Sequence, residues 1–195
     1  MRIVAGLGNP GAQYRKNRHN VGFQVAELLA ARWGAPPLKE KFSALHAKAS
    51  FRGQDVVLLE PYTFMNLSGE PLQKAMAFFK VSLADVIVVH DELDLAWRDV
   101  RVKIGGGHAG HNGLRSIIQH CGGPDFVRVR VGIGKPPRGT TESWVLGDFD
   151  AMESAELPAV LEAAALSVEA VLEHGAATAH ACSGDGTGLQ RDRVA

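Results

Sequence analysis

The chain has 195 residues, 46% hydrophobic and 22% charged, which is long enough to bury a sizeable core and too apolar for global disorder. No run approaches the roughly 20 apolar residues of a membrane helix, and the N-terminus carries neither the apolar stretch nor the cleavage site of a secretory signal. Net charge is zero but unevenly spread: residues 1–140 hold 19 Lys/Arg against 11 Asp/Glu, and residues 141–195 hold 2 against 10. Such a split suits a basic surface facing an anionic partner and backed by an acidic helix. Cys121 and Cys182 lie far apart outside any CxxC pattern, so a reducing cytoplasm is the expected location.

The elements alternate along the chain. The apolar run 2–7 predicts a strand buried on both faces. Val21, Val25, Leu28, Leu29 and Trp33 recur at helical spacing, predicting a helix over 21–33 that Gly34 ends. Segments 43–51 and 54–60 flank Arg52-Gly53 as a hairpin. A helix over 69–79 follows, and then Val86-Ile87-Val88-Val89, the best candidate for a central strand. Strands over 100–104 and 126–131 are separated by a helix over 112–121, a pattern that favours parallel pairing. The last long helix is expected over 151–173, and a polar tail from 181. The fold expected is α/β: one domain over 1–180, a twisted mixed β-sheet flanked by helices on both faces.

Ligands of open α/β sheets gather at the carboxyl ends of the strands. The loops there are Gly6-Leu7-Gly8-Asn9-Pro10-Gly11, Pro61-Tyr62-Thr63-Phe64-Met65-Asn66, His90-Asp91-Glu92-Leu93-Asp94, and the glycine-rich 105–113. None is a P-loop or a GxGxxG before a helix, so turn geometry explains the glycines better than nucleotide binding. His19 opens the first helix, and Asp91 ends the central strand. A histidine held by a buried carboxylate is a general base. With no GxSxG serine and no cysteine in a nucleophile motif, the nucleophile is expected to be water. Asn9, Asn66 and Asn112 supply neutral amides for an oxyanion or peptide groups. His108 and His111 could begin a metal site with His90, Asp91 or Asp94, or could cap the next helix. No HExxH or Cys ligand accompanies them, and no metal is expected. Arg101 and Lys103 share one face of their strand, Arg128 and Arg130 one face of theirs. Were the strands neighbours, these four would cluster and contact phosphate.

Taken together, five segments resemble the bacterial peptidyl-tRNA hydrolase family over nearly all of residues 1–175. They are Gly6-Leu7-Gly8-Asn9-Pro10-Gly11 with Tyr14, Arg18-His19-Asn20-Val21-Gly22, Phe64-Met65-Asn66-Leu67-Ser68-Gly69, His90-Asp91-Glu92-Leu93-Asp94-Leu95, and Gly105 through Leu114. The resemblance implies a monomeric, cofactor-free α/β enzyme. It would cut the ester between a peptide and the 3′-terminal ribose of tRNA, and so recycle tRNA. It implies His19 as the base, Asp91 as its orienting partner, and Asn9 as a catalytic amide at the oxyanion and peptidyl group. Tyr14, Met65, Asn66 and Asn112 would bind substrate, and Lys103 and Arg130 would clamp the 5′ phosphate at the tRNA acceptor end. Two departures stand out: Ala96-Trp97-Arg98 replaces a common Pro-Pro-Gly turn, and Tyr62 replaces a small hydroxyl residue. The rivals are an RNA-binding protein of the same fold without hydrolase activity, and a peptidase of related topology.

Overall fold

The structure, a computed structural model, describes residues 1–184. Its elements are β1 (Arg2–Gly6), α1 (Val21–Arg32), β2 (Lys39–Lys41), β3 (Ala44–Phe51), β4 (Gln54–Pro61), α2 (Gly69–Phe79), β5 (Val86–Glu92), β6 (Val100–Ile104), α3 (Asn112–His120), β7 (Val127–Gly132), α4 (Thr141–Val145), α5 (Ala151–His174) and α6 (Ala176–Gly184). One seven-stranded sheet runs in the order β2-β3-β4-β1-β5-β7-β6. Strands β4, β1, β5 and β7 are parallel, while β3, β2 and β6 are antiparallel to their neighbours. The sheet is therefore mixed, as expected.

Strict alternation along the central strands feeds two cores. Val4, Leu58, Ile87, Val89 and Val129 face α1 and α5. Ile3, Ala5, Leu59, Val86 and Val88 face the opposite layer of α2 and α3. A strand sandwiched between helix layers must be apolar at both parities, which is why 86–89 read as an unbroken run. The hairpin turns on Arg52 and Gly53 at φ 47° and 78°, the left-handed pair that matches strand twist. Helix α1 lies almost on the sheet because Gly22 has no side chain: a Cβ there would sit 2.4 Å from both Leu7 N and Val89 O.

The expected parallel pairing of the last two strands is wrong. Strands β6 and β7 are antiparallel, with Arg101 opposite Arg130 and Lys103 opposite Arg128. The reason lies in residues 105–111. Ile104 ends level with Val127, yet His111 meets Asp91, which is level with Val131. The loop thus climbs about 13 Å back up the sheet before α3 descends. The glycines and Ala109 supply its left-handed turns, with φ 62°, 99°, 46° and 80° at 105, 106, 109 and 110. Strand β2 and helices α4 and α6 were not anticipated. Helix α6 includes residues 181–184 of the stretch expected as tail, and 185–195 lie outside the described residues.

One buried group sits uneasily in this packing. Glu60, 3% exposed at the end of β4, has an Oε1 without a hydrogen-bond partner among the described residues. Burial, reinforced by Glu27 and opposed by Arg15, pushes its carboxyl up to about 8. A raised carboxyl pKa favours the neutral form in the fold. The contribution of Glu60 to stability is therefore greatest below the ordinary value of 4.5 and is lost as pH rises to about 8, by up to roughly 1.4 kcal/mol per unit. Glu60→Gln is expected to raise the melting temperature by several degrees at pH 8 and little at pH 5. An equal shift at both pH values would rule out ionisation as the cause.

Candidate active site

A cleft of about 760 Å³ opens at the carboxyl ends of β1, β4 and β5. Asn9, His19, Met65, Asn66, Asp91 and Asn112, all expected in the site, line it. Five chain segments bring them there, two of which are the loops after β1 and β4 that deliver Asn9 and Met65-Asn66. A tight turn over Arg18–Asn20, seated by Gly22, delivers His19; the last residues of β5 deliver Asp91; the climbing glycine loop delivers 108–112.

At the centre, His19 Nδ1 lies 2.8 Å from Asp91 Oδ1, and both residues are buried. A carboxylate only accepts, so the imidazole donates Nδ1–H and keeps the Nε2 lone pair for a water or substrate. Burial alone would lower the His19 pKa, but the Asp91 charge and hydrogen bond outweigh it and hold it above the ordinary histidine value. Asp91 is fully buried. Burial would raise its carboxyl, yet His19 and His111 hold it well below the usual range.

His111 was anticipated only as a helix cap or a metal-ligand candidate. It caps α3: its Nδ1 accepts from Gly113 N at 3.1 Å and Leu114 N at 3.3 Å. The ring proton must then sit on Nε2, which points at Asp91 Oδ1 at 3.1 Å. One carboxylate oxygen therefore receives two imidazole N–H groups, and the cap on α3 sets the tautomer of the second. A signal was present in the sequence, since a histidine one residue before a helix is placed to cap it. That its other nitrogen reaches Asp91 depends on the climb of the loop.

His19, Asp91 and His111 are also a group among the described residues whose donor atoms lie close enough to hold a metal. A metal bound by the two nitrogens that face Asp91 would have to displace both N–H protons and break the α3 cap. His90 stands behind them, with its Nδ1 on the Asp91 carbonyl at 2.6 Å. Burial, with His111 beside it, pushes its pKa down to about 3. His108 Nδ1 accepts from Gly110 N, a contact internal to the loop.

The amides are sorted by their bonds. Asn9 Oδ1 accepts from Met65 N at 2.8 Å, and the Asn9 backbone is clasped by the Asn20 side chain through two bonds of 3.0 and 2.9 Å. With its oxygen engaged, Asn9 has only its NH2 donor to offer a ligand, the group an oxyanion requires. Asn66 and Asn112 are exposed where they line the cleft. Tyr14 is not in the cleft wall. Its ring packs edge-on at 6.4 Å against Phe64, which is.

The basic strands only partly meet expectation. Arg128 is buried and donates to Gly107 O at 2.5 Å and to Gly106 O, holding the glycine loop, so it cannot meet a phosphate. Arg130 is half-buried, with Nε on Glu92 Oε2 at 3.0 Å. Lys103 and Arg101 stay at the sheet edge, outside the cleft. The acidic excess of α5 is largely spent on cations: Glu153 on Arg18, Glu156 on Arg98, Glu162 and Glu169 on Arg32, and Glu173 on Arg52. Glu156 also explains the replaced turn. It accepts from Trp97 Nε1 at 2.8 Å and Arg98 Nη1 at 3.1 Å, tethering Arg98 at φ 77°, a conformation that glycine adopts more readily.

A family model for peptidyl-tRNA hydrolase matches residues 3–185. The chain belongs to this family. A peptidyl-tRNA hydrolase of Sorangium cellulosum is 54% identical over 178 residues, covering 90% of this chain and 80% of that protein. One from Geobacter metallireducens is 48% identical over 161 residues, 83% of each chain. The crystal structure of the peptidyl-tRNA hydrolase from Acinetobacter baumannii has a TM-score of 0.85 at 36% identity over 93% of each chain. The seven-stranded mixed sheet is thus the fold of solved peptidyl-tRNA hydrolases, and membership makes the chain a hydrolase. No helix among the described residues is long and apolar enough to cross a membrane.

Proposed function

We propose that this chain is a peptidyl-tRNA hydrolase that frees tRNA by cutting the ester between a peptide and the 3′-terminal ribose, with His19 as general base. The observation that carries the reading is the 2.8 Å bond from His19 to buried Asp91 at the base of a cleft flanked by Asn9. An aminoacyl ester is already activated. A positioned water, a base and an oxyanion donor suffice without a covalent intermediate.

His19 Nε2 takes a proton from water as the oxygen attacks the ester carbonyl. Asp91 stabilises the imidazolium that forms, and His111 holds Asp91 from the other side. The Asn9 NH2 meets the developing oxyanion. The 2′,3′-diol end of the tRNA then leaves as the alcohol, taking back the proton from His19. Met65, Asn66 and Asn112 hold the peptidyl portion, whose amide groups an unacylated amino acid lacks, so aminoacyl-tRNA forgoes those contacts. Tyr14 supports this wall through Phe64. Lys103 and Arg130 clamp a phosphate of the acceptor end in this reading, with Arg130 held by its bond to Glu92. The reading needs no cofactor, and places a monomer in the cytoplasm.

The test is peptide release from N-acetyl-aminoacyl-tRNA by the purified protein, with and without a chelator. Release that survives the chelator is the expected result. Tight tRNA binding without release would favour the RNA-binding rival.

A further inference from the structure

Arg18, immediately before His19, is 5% exposed. Its Nη2 lies 2.5 Å from Glu153 Oε2, and its guanidinium lies 3.8 Å from the centre of the Trp144 ring and 5.5 Å from that of Phe149. Nη1 points to Trp144 O at 3.5 Å. The backbone joins the same seam: Arg18 N donates to Gly147 O at 3.0 Å, and Asn17 Nδ2 to Asp148 Oδ1 at 2.6 Å. Gly147 permits this closeness, because a Cβ there would lie 3.2 Å from Arg18 Nη1 and from Ser143 O.

The segment held this way matters to the cleft. Thr141, Glu142, Val145 and Leu146, on α4 and just after it, form part of the wall of the cleft that His19 also lines. Helix α4 is five residues long and cannot hold its own position. Glu153 in turn is the capping-box residue of α5: its Oε2 accepts from Asp150 N at 2.9 Å as well as from Arg18. One carboxylate oxygen therefore ties the start of the long helix to the turn that carries the base, and Arg18 extends the tie to the cleft wall through Trp144 and Gly147.

A buried ion pair is a poor source of stability, since well-packed apolar residues often replace one without loss. What a fork of this kind supplies is fixed geometry. We infer that Arg18 and Glu153 are positioning residues that set the distance between His19 and the 141–146 wall, and so determine how firmly the substrate is seated. The inference rests on the hydrolase reading, and its test separates the two. Wild type that releases no peptide defeats that reading, whereas the comparison of variants below addresses the pair alone.

The experiment compares wild type, Glu153→Gln, Glu153→Ala and the double variant Arg18→Met with Glu153→Leu on N-acetyl-aminoacyl-tRNA, far below each melting temperature. Glu153→Gln keeps an oxygen for both partners and is expected to hold KM within about twofold. Glu153→Ala is expected to raise KM about tenfold, in line with the sensitivity of seating to small displacements. The double variant is expected to recover thermal stability and to keep the raised KM. Should KM return to the wild-type value along with stability, or never rise in Glu153→Ala, the pair is merely structural and the inference falls. If Glu153→Ala does not fold, the double variant decides alone, because it preserves packing without the fork.

Discussion

His19→Ala is expected to reduce kcat for peptide release by about 10²–10⁴-fold, the range for losing a positioned general base, while tRNA affinity stays within a few-fold. The separation follows from geometry. His19 is 8% exposed and faces the cleft beside Asn9, whereas the cations at the sheet edge stand outside the cleft. Removing an imidazole takes the base and leaves the binding surface. Folding should survive as well, since the turn over Arg18–Asn20 is held by Asn20 on the Asn9 backbone and by Arg18 on Glu153. The comparison is kcat and tRNA affinity side by side. A variant that keeps full activity would sink the mechanism and leave the family membership intact.

Asp91→Asn is expected to act in two ways at once. The maximum rate should fall by about 10²-fold or more, because an amide can present its NH2 to His19 Nδ1 and hold the wrong tautomer. The pH dependence should move as well. In the wild type, kcat/KM is expected to rise as His19 loses its proton, at a pH above the ordinary histidine value because the Asp91 charge and hydrogen bond outweigh burial. Without that charge, burial acts unopposed and the rising limb shifts to lower pH. A variant that is slower with an unmoved limb would mean that Asp91 orients His19 without setting its proton affinity. One that keeps the wild-type rate would remove Asp91 from the mechanism.

Part of this site is legible in the sequence. His19 and Asp91 are 72 residues apart, yet both sit at ends that an α/β sheet turns toward its ligand, so their meeting could be anticipated from element order. His111 could be suspected as a cap. Its hold on Asp91 could not, because that depends on a loop that reverses up the sheet. Arg128 and Arg130 looked equivalent in an alternating strand. Alternation says only that they share a face, and the structure shows that loop carbonyls cover one of them while Glu92 partners the other.

Local chemistry therefore determined the elements that read clearly. Apolar runs made the central strands, Arg52-Gly53 made the hairpin, and an Asp-Glu capping box started the long helix, each through interactions spanning a few residues. Even there, the local pattern of strand, helix and strand misjudged the direction of β6. Only the tertiary structure decided that direction, the buried role of Arg128, the triad completed by His111, and the seam from Arg18 to Glu153 behind the base. Each of these joins groups at least 20 residues apart, and pairings at that range are chosen by which surfaces come together on folding, something a periodic pattern along the chain does not encode.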